Sequence, residues 1–384
     1  MSLTVEERDE LRSTARSLCD RKSPSERVRA VVADPPGFDR ALWDEMVGLG
    51  WSSIHVPAAH GGSDAGYAAL AVVLHELGRA MVPSPFLASA VLATSALMCS
   101  DNNALASELL GALVAGGSIG SVAFASTDGT YEVSRLTTGW ERVDATVRLN
   151  GSSGFVLDAD VADVLIVGAC SDDGTPAVVA IDSASAGVRI EPAASVDETR
   201  RLFSVAFTDV VVAEERMLCE PGARAEELLD QILAVGVIAA ACDATGATER
   251  MLDRTADYAK DRMQFGKPIG SFQAVKHHCA NIAIAVEASR AAVNAAAVAL
   301  DGEPNAWARN ASVTSSYVGP ACTEACGFGL RVHGGIGFTW EHDSHLYLKR
   351  VMLDEVMFGT PSWHRRRLAR TVIESVQEEE LQRS

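Results

Sequence analysis

The sequence predicts an α+β protein in which a helical domain, a β-sheet domain and a second helical domain follow one another along the chain. Apolar residues recur at helical spacing through residues 1–118 and 222–384, whereas residues 119–221 hold short β-rich runs separated by Gly, Asp and Ser. No helical segment separates those runs, so we expect an antiparallel sheet rather than alternating strands and helices. At 384 residues, the chain is long enough for two or three packed domains.

The composition is that of an ordinary soluble protein, with 48% apolar and 22% charged residues. The formal net charge of -18 argues against a nucleic acid partner, because phosphate binding needs a basic surface. We find no run of about eighteen apolar residues that would predict a membrane span, and the charged residues 1–12 do not resemble a signal peptide. The eight cysteines have neither metal nor redox spacing, which predicts reduced thiols in a cytoplasmic protein.

Clusters of Pro and Gly divide the first helical region into separate segments. The segments with apolar residues at helical spacing are residues 5–20, 41–48, 66–78 and 85–98. Within the last of them, residues 88–97 are apolar on all sides and rich in Ala, which predicts a helix buried on most sides.

The strands and the second set of helices are predicted in the same way. The β-rich runs are residues 121–124, 143–149, 164–167, 177–181 and 203–212. The later helical segments are residues 225–260, 272–300, 305–327, 345–356 and 361–384. No GxGxxG follows a strand, so a Rossmann nucleotide site is not expected.

Two strings in the last third of the chain indicate a phosphate-bearing ligand. RMQFGKPIGSFQ, residues 262–273, begins with an Arg near the end of a helix, and a guanidinium there can hold two phosphate oxygens at once. HGGIGFT, residues 333–339, contains glycines that allow backbone to approach a ligand closely because no Cβ intervenes.

These two strings resemble the flavin-binding signatures of the acyl-CoA dehydrogenase family, and the resemblance extends over essentially the whole chain. It implies an N-terminal helical domain at residues 1–118, an antiparallel β-domain at 119–221 and a C-terminal four-helix bundle at 222–384. It also implies FAD as the cofactor, dehydrogenation of an acyl-CoA to a 2,3-enoyl-CoA, and electron transfer to an electron-transfer flavoprotein. Because the family's FAD site spans a subunit interface, a homotetramer, or a heterotetramer with a related subunit, is implied as well.

The resemblance also assigns individual residues to FAD. They are Arg262, Gln264, Phe265, Gln273, Arg331, Gly334, Gly335, Thr360, Thr127 and Phe155. The first three are expected at the FAD of a neighbouring subunit, Gln273 near the adenine end, and Gly335 against the adenosine half. Arg331 stands where the family usually has Gln, and either takes over a phosphate contact or crowds the site. Thr127 and Phe155 are expected at the flavin ring, where Leu157 replaces a usual Thr and offers no hydroxyl.

The family's usual catalytic base, the Glu of a Glu-Gly-Thr triplet, is missing, because residue 358 in the corresponding FGT triplet is Phe. Some relatives carry the base on the long helix before the first string. There, Asp243 is the only carboxylate between residues 233 and 246, and the other position that relatives use is Gly236. Asp243 is therefore expected to be either a base, with a pKa raised by small apolar neighbours, or a structural carboxylate bonded to another helix.

Several functions remain open from the sequence. The chain is either a self-sufficient homo-oligomer that uses Asp243, or one subunit of a heteromer similar to those of actinobacterial steroid side-chain degradation. The missing Glu, Arg331 and Leu157 favour the second reading. Ala239, Ala240 and Ala244 leave room for a bulky acyl group or serve helix packing. The alternatives are a flavin-dependent monooxygenase or nitroalkane-type oxidase on the same fold, and a non-catalytic partner subunit. No metal site is expected.

Overall fold

The computed structural model of the protein describes residues 3–302 and 304–383. Its elements run from helices to strands after Val114 and back to helices from Ala223, in the order that the sequence predicts. The chain forms two compact units. One comprises the chain up to Val73 together with Val82–Gly236, and the other comprises Leu74–Met81 and the chain from Val237 onward. The three predicted domain boundaries stay predictions.

The first region contains the four predicted helical segments and two short helices that were not predicted, α2 and α6. Its helices are α1 (Val5–Lys22), α2 (Ser25–Ala33), α3 (Arg40–Gly48), α4 (Gly66–Arg79), α5 (Thr94–Met98) and α6 (Asn103–Val114). A capping box starts α1, since the Thr4 hydroxyl accepts from the Glu7 N–H while the Glu7 carboxylate accepts from the Thr4 N–H. A π-helix, Phe86–Ala93, precedes α5, and all its residues are buried.

The middle region is a seven-stranded sheet that is mainly antiparallel. Its strands are β1 (Gly120–Ala123), β2 (Thr138–Val143), β3 (Thr146–Leu157), β4 (Val164–Cys170), β5 (Pro176–Asp182), β6 (Val188–Ala193) and β7 (Leu202–Ala213). The order is β1-β4-β2-β3-β7-β6, with β5 also on β4, and β1 joins β4 in parallel. The sequence missed β2 and β6, which have few buried residues and therefore lack the apolar runs of β4 and β5.

The last region is helical apart from a two-stranded hairpin. Its elements are α7 (Ala223–Asp261), β8 (Met263–Gln264), β9 (Lys267–Pro268), α8 (Gln273–Leu300), α9 (Trp307–His333), α10 (Ser344–Val356) and α11 (Pro361–Arg383). The predicted helix over residues 361–384 is thus present, with Ser384 outside the described residues. The end of α9 lies six residues beyond the predicted one, because the helix continues through Gly327 and Gly329.

The C-terminal end of α4 lies directly against the middle of α7. A Cβ on Gly78 would lie 2.2 Å from the carbonyl oxygen of Asp243, and one on Gly246 would lie 1.9 Å from that of His75. Real Cβ atoms do not come so close, so both positions require glycine. This contact fixes the part of α7 that carries Asp243.

Within the described part of the chain, α7 and α8 are long and apolar enough to cross a membrane by length and composition. The most apolar window of α7 is 94% buried inside the protein, as in the core helix of a soluble protein, and that of α8 is 33% buried. The sequence reading had expected no such segment.

Candidate active site

Asp243, the candidate base on α7, is paired with Arg350 on α10. The Arg350 Nε donates to Asp243 Oδ2 at 2.8 Å, and Nη2 lies 3.4 Å from Oδ1. Only 2% and 5% of the Arg350 and Asp243 side chains are exposed. Besides the mostly small, apolar residues near it in sequence, Asp243 thus has a guanidinium that faces both of its carboxylate oxygens, as expected of a carboxylate bonded to another helix.

A second group of charges lies nearly two turns further along α7. His75 Nε2 is 3.1 Å from the Glu249 carboxylate, and the Arg290 guanidinium is 2.7 Å from the same oxygen. Burial opposes the protonation of His75, but hydrogen bonds to Glu249 and Glu76 outweigh it and raise the histidine's pKa. These pairs join α4, α7 and α8, so α7 is held by charges on both sides of Gly246.

The 357–360 turn, between α10 and α11, contains Phe358, the residue at which the sequence resemblance places the family's usual catalytic Glu. Phe358 is buried and has a φ of 67°, and Gly359 follows with a φ of 104°. A bulky side chain with positive φ is a conformational outlier. The hydroxyl of Thr360 accepts from the Trp363 N–H at 3.3 Å, and so caps α11.

A buried histidine of α11 holds this turn. His364 Nε2 lies 3.0 Å from the carbonyl oxygen of Phe358, and its Nδ1 lies 3.1 Å from the hydroxyl of Ser312 on α9. Burial lowers the pKa of His364 to about 4, so the ring is neutral near pH 7. The sequence reading missed His364. The signal in the sequence was a histidine four residues after the FGT triplet, in the first turn of the helix predicted over residues 361–384.

The 262–273 segment forms an exposed hairpin after α7. Phe265 and Gly266 both have positive φ at its tip, as a two-residue type I′ turn requires. The Phe265 side chain is 90% exposed, and Arg262, Gln264 and Gln273 are exposed as well. The structure thus brings these four predicted residues to one accessible edge, with Arg262 at the base of the hairpin.

The glycine segment after α9 is also accessible. Gly334 has a φ of 64°, and among the residues that the structure describes, no atom lies within 4 Å of where a Cβ on Gly334 or Gly335 would stand. Arg331 is exposed, and its guanidinium lies 5.3 Å from the centre of the Phe328 ring. His333 anchors the segment, since its Nδ1 lies 2.8 Å from the Gly329 carbonyl oxygen and its ring stacks on Tyr258.

The two β-domain segments expected at a flavin ring lie side by side. Ala125 and Gly154 pair across them, and a Cβ on Gly129 would lie 3.3 Å from the Phe155 ring. Phe155 is 42% exposed, with a φ of 54°, and Thr127 is exposed. Leu157 is buried, with its carbonyl oxygen accepting from the Ser121 hydroxyl. This surface therefore offers an aromatic face and backbone groups to a ligand, and Leu157 adds no hydroxyl to them.

A helical region, a mainly antiparallel sheet and a second helical region in this order along the chain, with an Arg-led hairpin and an open glycine segment, are typical of an oxidoreductase of the flavoprotein class. Models of the acyl-CoA dehydrogenase N-terminal and C-terminal domains match residues 5–117 and 227–373. The acyl-CoA dehydrogenase IpdE2 of Mycolicibacterium smegmatis is 33% identical over 94% of this chain and 98% of its own. The protein belongs to the acyl-CoA dehydrogenase family.

Two solved structures have the same fold over nearly the whole chain. The Tcur3481-Tcur3483 steroid ACAD, solved as a variant, has a TM-score of 0.88 at 28% identity, covering 97% of this chain and 99% of its own. The ChsE4-ChsE5 complex of Mycobacterium tuberculosis has a TM-score of 0.86 at 26% identity, with coverage of 97% and 98%. The fold class predicted from the sequence is confirmed.

Proposed function

We propose that the protein is one subunit of a cytoplasmic, FAD-dependent acyl-CoA dehydrogenase that acts on a bulky, steroid-derived acyl-CoA. In this proposal it assembles into a heterotetramer with a related chain, which supplies the catalytic base. The enzyme passes its electrons to an electron-transfer flavoprotein. The observation that carries the proposal is that Phe358 takes the place of the usual base while Asp243 is bonded to Arg350.

The case against Asp243 as the base is electrostatic. A base must accept a proton during each turnover, and protonation of Asp243 would leave the buried Arg350 charge without its counter-charge. The ion pair stabilises the ionised carboxylate and opposes that step. Asp243 and Arg350 therefore serve to join α7 to α10.

The accessible segments fit a dinucleotide cofactor. Gly334 and Gly335 leave open space for a ligand beside the backbone, and Arg262 offers a guanidinium to a pyrophosphate. Phe155 and Thr127 present a ring face and a hydroxyl that suit a flavin ring. When bound, FAD would accept the hydride from the acyl Cβ. The backbone N–H of residue 358 is the part of this chain that the resemblance assigns to the thioester oxygen.

The acyl group is inferred from relatives and from small side chains. Ala239, Ala240 and Ala244 are buried on α7 and follow Gly236, so this stretch of helix carries little side-chain volume. The Tcur3481-Tcur3483 relative is a steroid ACAD by name, and the names of both solved structures contain two different chains. The dehydrogenase names of the relatives favour dehydrogenation over the monooxygenase alternative.

The test is to purify the chain alone and together with each related chain of the same genome that retains Glu-Gly-Thr. Flavin absorbance per chain, assembly mass by light scattering, and anaerobic bleaching by cholyl-CoA or octanoyl-CoA are measured. We expect little flavin and no bleaching alone, and both flavin and cholyl-CoA bleaching with one partner. A chain that alone holds one FAD and is bleached would overturn the two-chain proposal, and no bleaching with any partner or acyl-CoA would overturn the activity.

A further inference from the structure

We propose that His364, held by Ser312, is a positioning residue that fixes the orientation of the Phe358–Gly359 peptide, and with it the turn that meets the acyl-CoA thioester. The inference rests on the proposed function for the identity of the ligand. The inference about the backbone conformation of residue 358 rests only on contacts among α9, α10, α11 and the 357–360 turn.

The first observation is that the 357–360 turn holds an unfavourable backbone conformation. Left-handed φ costs a residue with a Cβ about 1–2 kcal/mol, and Phe358 is buried as well as bulky. A free turn would relax to negative φ. Something in the surrounding structure must therefore stabilise the observed state.

The second observation is that His364 makes the bond that can do so. A neutral imidazole has one N–H donor and one acceptor nitrogen. Nε2 donates to the Phe358 carbonyl oxygen at 3.0 Å, which leaves Nδ1 to accept from the Ser312 hydroxyl at 3.1 Å. Ser312 is itself buried on α9, so it orients the ring and selects this tautomer.

The third observation is that packing closes the turn from the other side. A Cβ on Gly359 would lie 2.8 Å from the Trp363 ring and 3.1 Å from His364 Nε2, so both side chains lie close against the glycine, with their rings nearly perpendicular to each other. The Gly359 N–H also donates to the Val356 carbonyl oxygen at 3.2 Å. The peptide is thus fixed at its oxygen by His364 and at its nitrogen by α10.

Fixing this peptide fixes the direction of the neighbouring backbone N–H groups. A hydrogen-bond donor stabilises developing oxyanion charge only when it is aimed before the reaction begins. Loss of the His364 bond would let the peptide rotate. The rate of the reaction step would then fall more than the affinity for the substrate. His364 therefore acts through Phe358, without touching substrate itself.

The test compares His364→Leu, Ser312→Ala and His364→Gln in the flavin-containing assembly. The Gln amide can donate to the Phe358 carbonyl oxygen as Nε2 does, so it is the conservative rescue. His55→Leu is the matched control, since His55 is equally buried but touches Tyr67 and Ser95 instead. Crystal structures report φ at residue 358, and stopped-flow bleaching by acyl-CoA reports the reaction.

We expect His364→Leu to return residue 358 to negative φ and to slow bleaching 10- to 100-fold, with KM little changed. Each factor of ten corresponds to about 1.4 kcal/mol of activation free energy. Ser312→Ala should lie between this variant and the wild type, and His364→Gln should restore most of the rate. An unchanged φ with an unchanged rate in His364→Leu would overturn the inference. If none of the acyl-CoA substrates bleaches the flavin of the wild-type assembly, the proposed function fails by itself. The crystal structures then still decide whether His364 fixes the conformation of residue 358.

Discussion

Arg350 and Asp243 form a buried ion pair that joins α10 to α7, with Nε and Oδ2 2.8 Å apart. The sequence presents them 107 residues apart, Asp243 in a run of alanines and Arg350 in a charged helix. In the structure Asp243 therefore has Arg350 as a partner, whereas the sequence left open that Asp243 is a catalytic base. Under the proposed function, the catalytic base therefore belongs to a second chain.

The first prediction concerns that pair. Asp243→Asn leaves the Arg350 charge buried without its counter-charge, so we expect unfolding to become easier by about 3–5 kcal/mol. In the two-chain assembly, we expect the rate of bleaching per bound flavin to stay near that of the wild type. Denaturant unfolding and bleaching at matched flavin content measure the two effects separately.

The matched control removes both charges. Asp243→Leu combined with Arg350→Met should recover most of the lost stability, because an apolar pair of similar volume often replaces a buried ion pair at little cost. A loss of at least 100-fold in rate for Asp243→Asn, without loss of stability, would instead make Asp243 the base.

The second prediction restores a carboxylate at residue 358. The assembly is made with a partner whose own catalytic Glu has been changed to Gln, so that bleaching at the partner's base is suppressed. In this background, Phe358→Glu should raise the rate of acyl-CoA bleaching at least 100-fold, within the usual contribution of about 10²–10⁴ from a general base.

Phe358→Gln is the control, since Gln has the shape of Glu but takes no proton near pH 7. Equal rates for the two variants would mean that the 357–360 turn does not reach the reacting carbon. A rate increase only for Glu supports the assignment of this turn to the active site.

Most of the architecture was predictable, because helical and strand periods are strong over long runs such as residues 225–260 and 203–212. The missed strands β2 and β6 have few buried residues, so their pairing with neighbouring strands decides their structure. The strings at residues 262–273 and 333–339 could be recognised in the sequence because glycine and Arg have backbone and charge roles that hardly depend on context, and their contact with a flavin stays a prediction. The partners of Asp243 and His364 were not, because both bonds join helices far apart in sequence.

The third prediction is that two buried histidines make the protein sensitive to acid. Burial lowers the pKa of His55 to about 3 and that of His364 to about 4, from the ordinary value of 6.5. Between pH 6.5 and these lowered pKa values, the two histidines bind more protons in the unfolded chain than in the folded one. Stability is therefore full above pH 6.5 and falls toward pH 4, by up to about 1.4 kcal/mol per pH unit for each group.

Denaturant unfolding at several values between pH 7 and pH 4.5 measures this slope. His55→Phe, which keeps a ring beside Tyr67, should make this slope shallower. His75 acts in the opposite sense, because its pKa is raised: its contribution is full below pH 6.5 and is lost as the pH rises through the folded-state pKa. A His55→Phe slope equal to that of the wild type would contradict the prediction.

The fourth prediction concerns the contact between α4 and α7. A methyl group on Gly246 would lie 1.9 Å from the carbonyl oxygen of His75, so Gly246→Ala must push the helices apart and disturb the bonds between His75 and Glu249. We expect a loss of several kcal/mol in unfolding free energy, the range of severe overpacking. Gly327 is the matched control, because it also lies inside a helix but has open space where its Cβ would stand. Gly327→Ala should stabilise the protein by about 0.5–1 kcal/mol through the helix propensity of Ala. Denaturant unfolding of the two variants decides the matter: equal stabilities would mean that α4 and α7 separate at no cost, and that Gly246 does not set the position of Asp243.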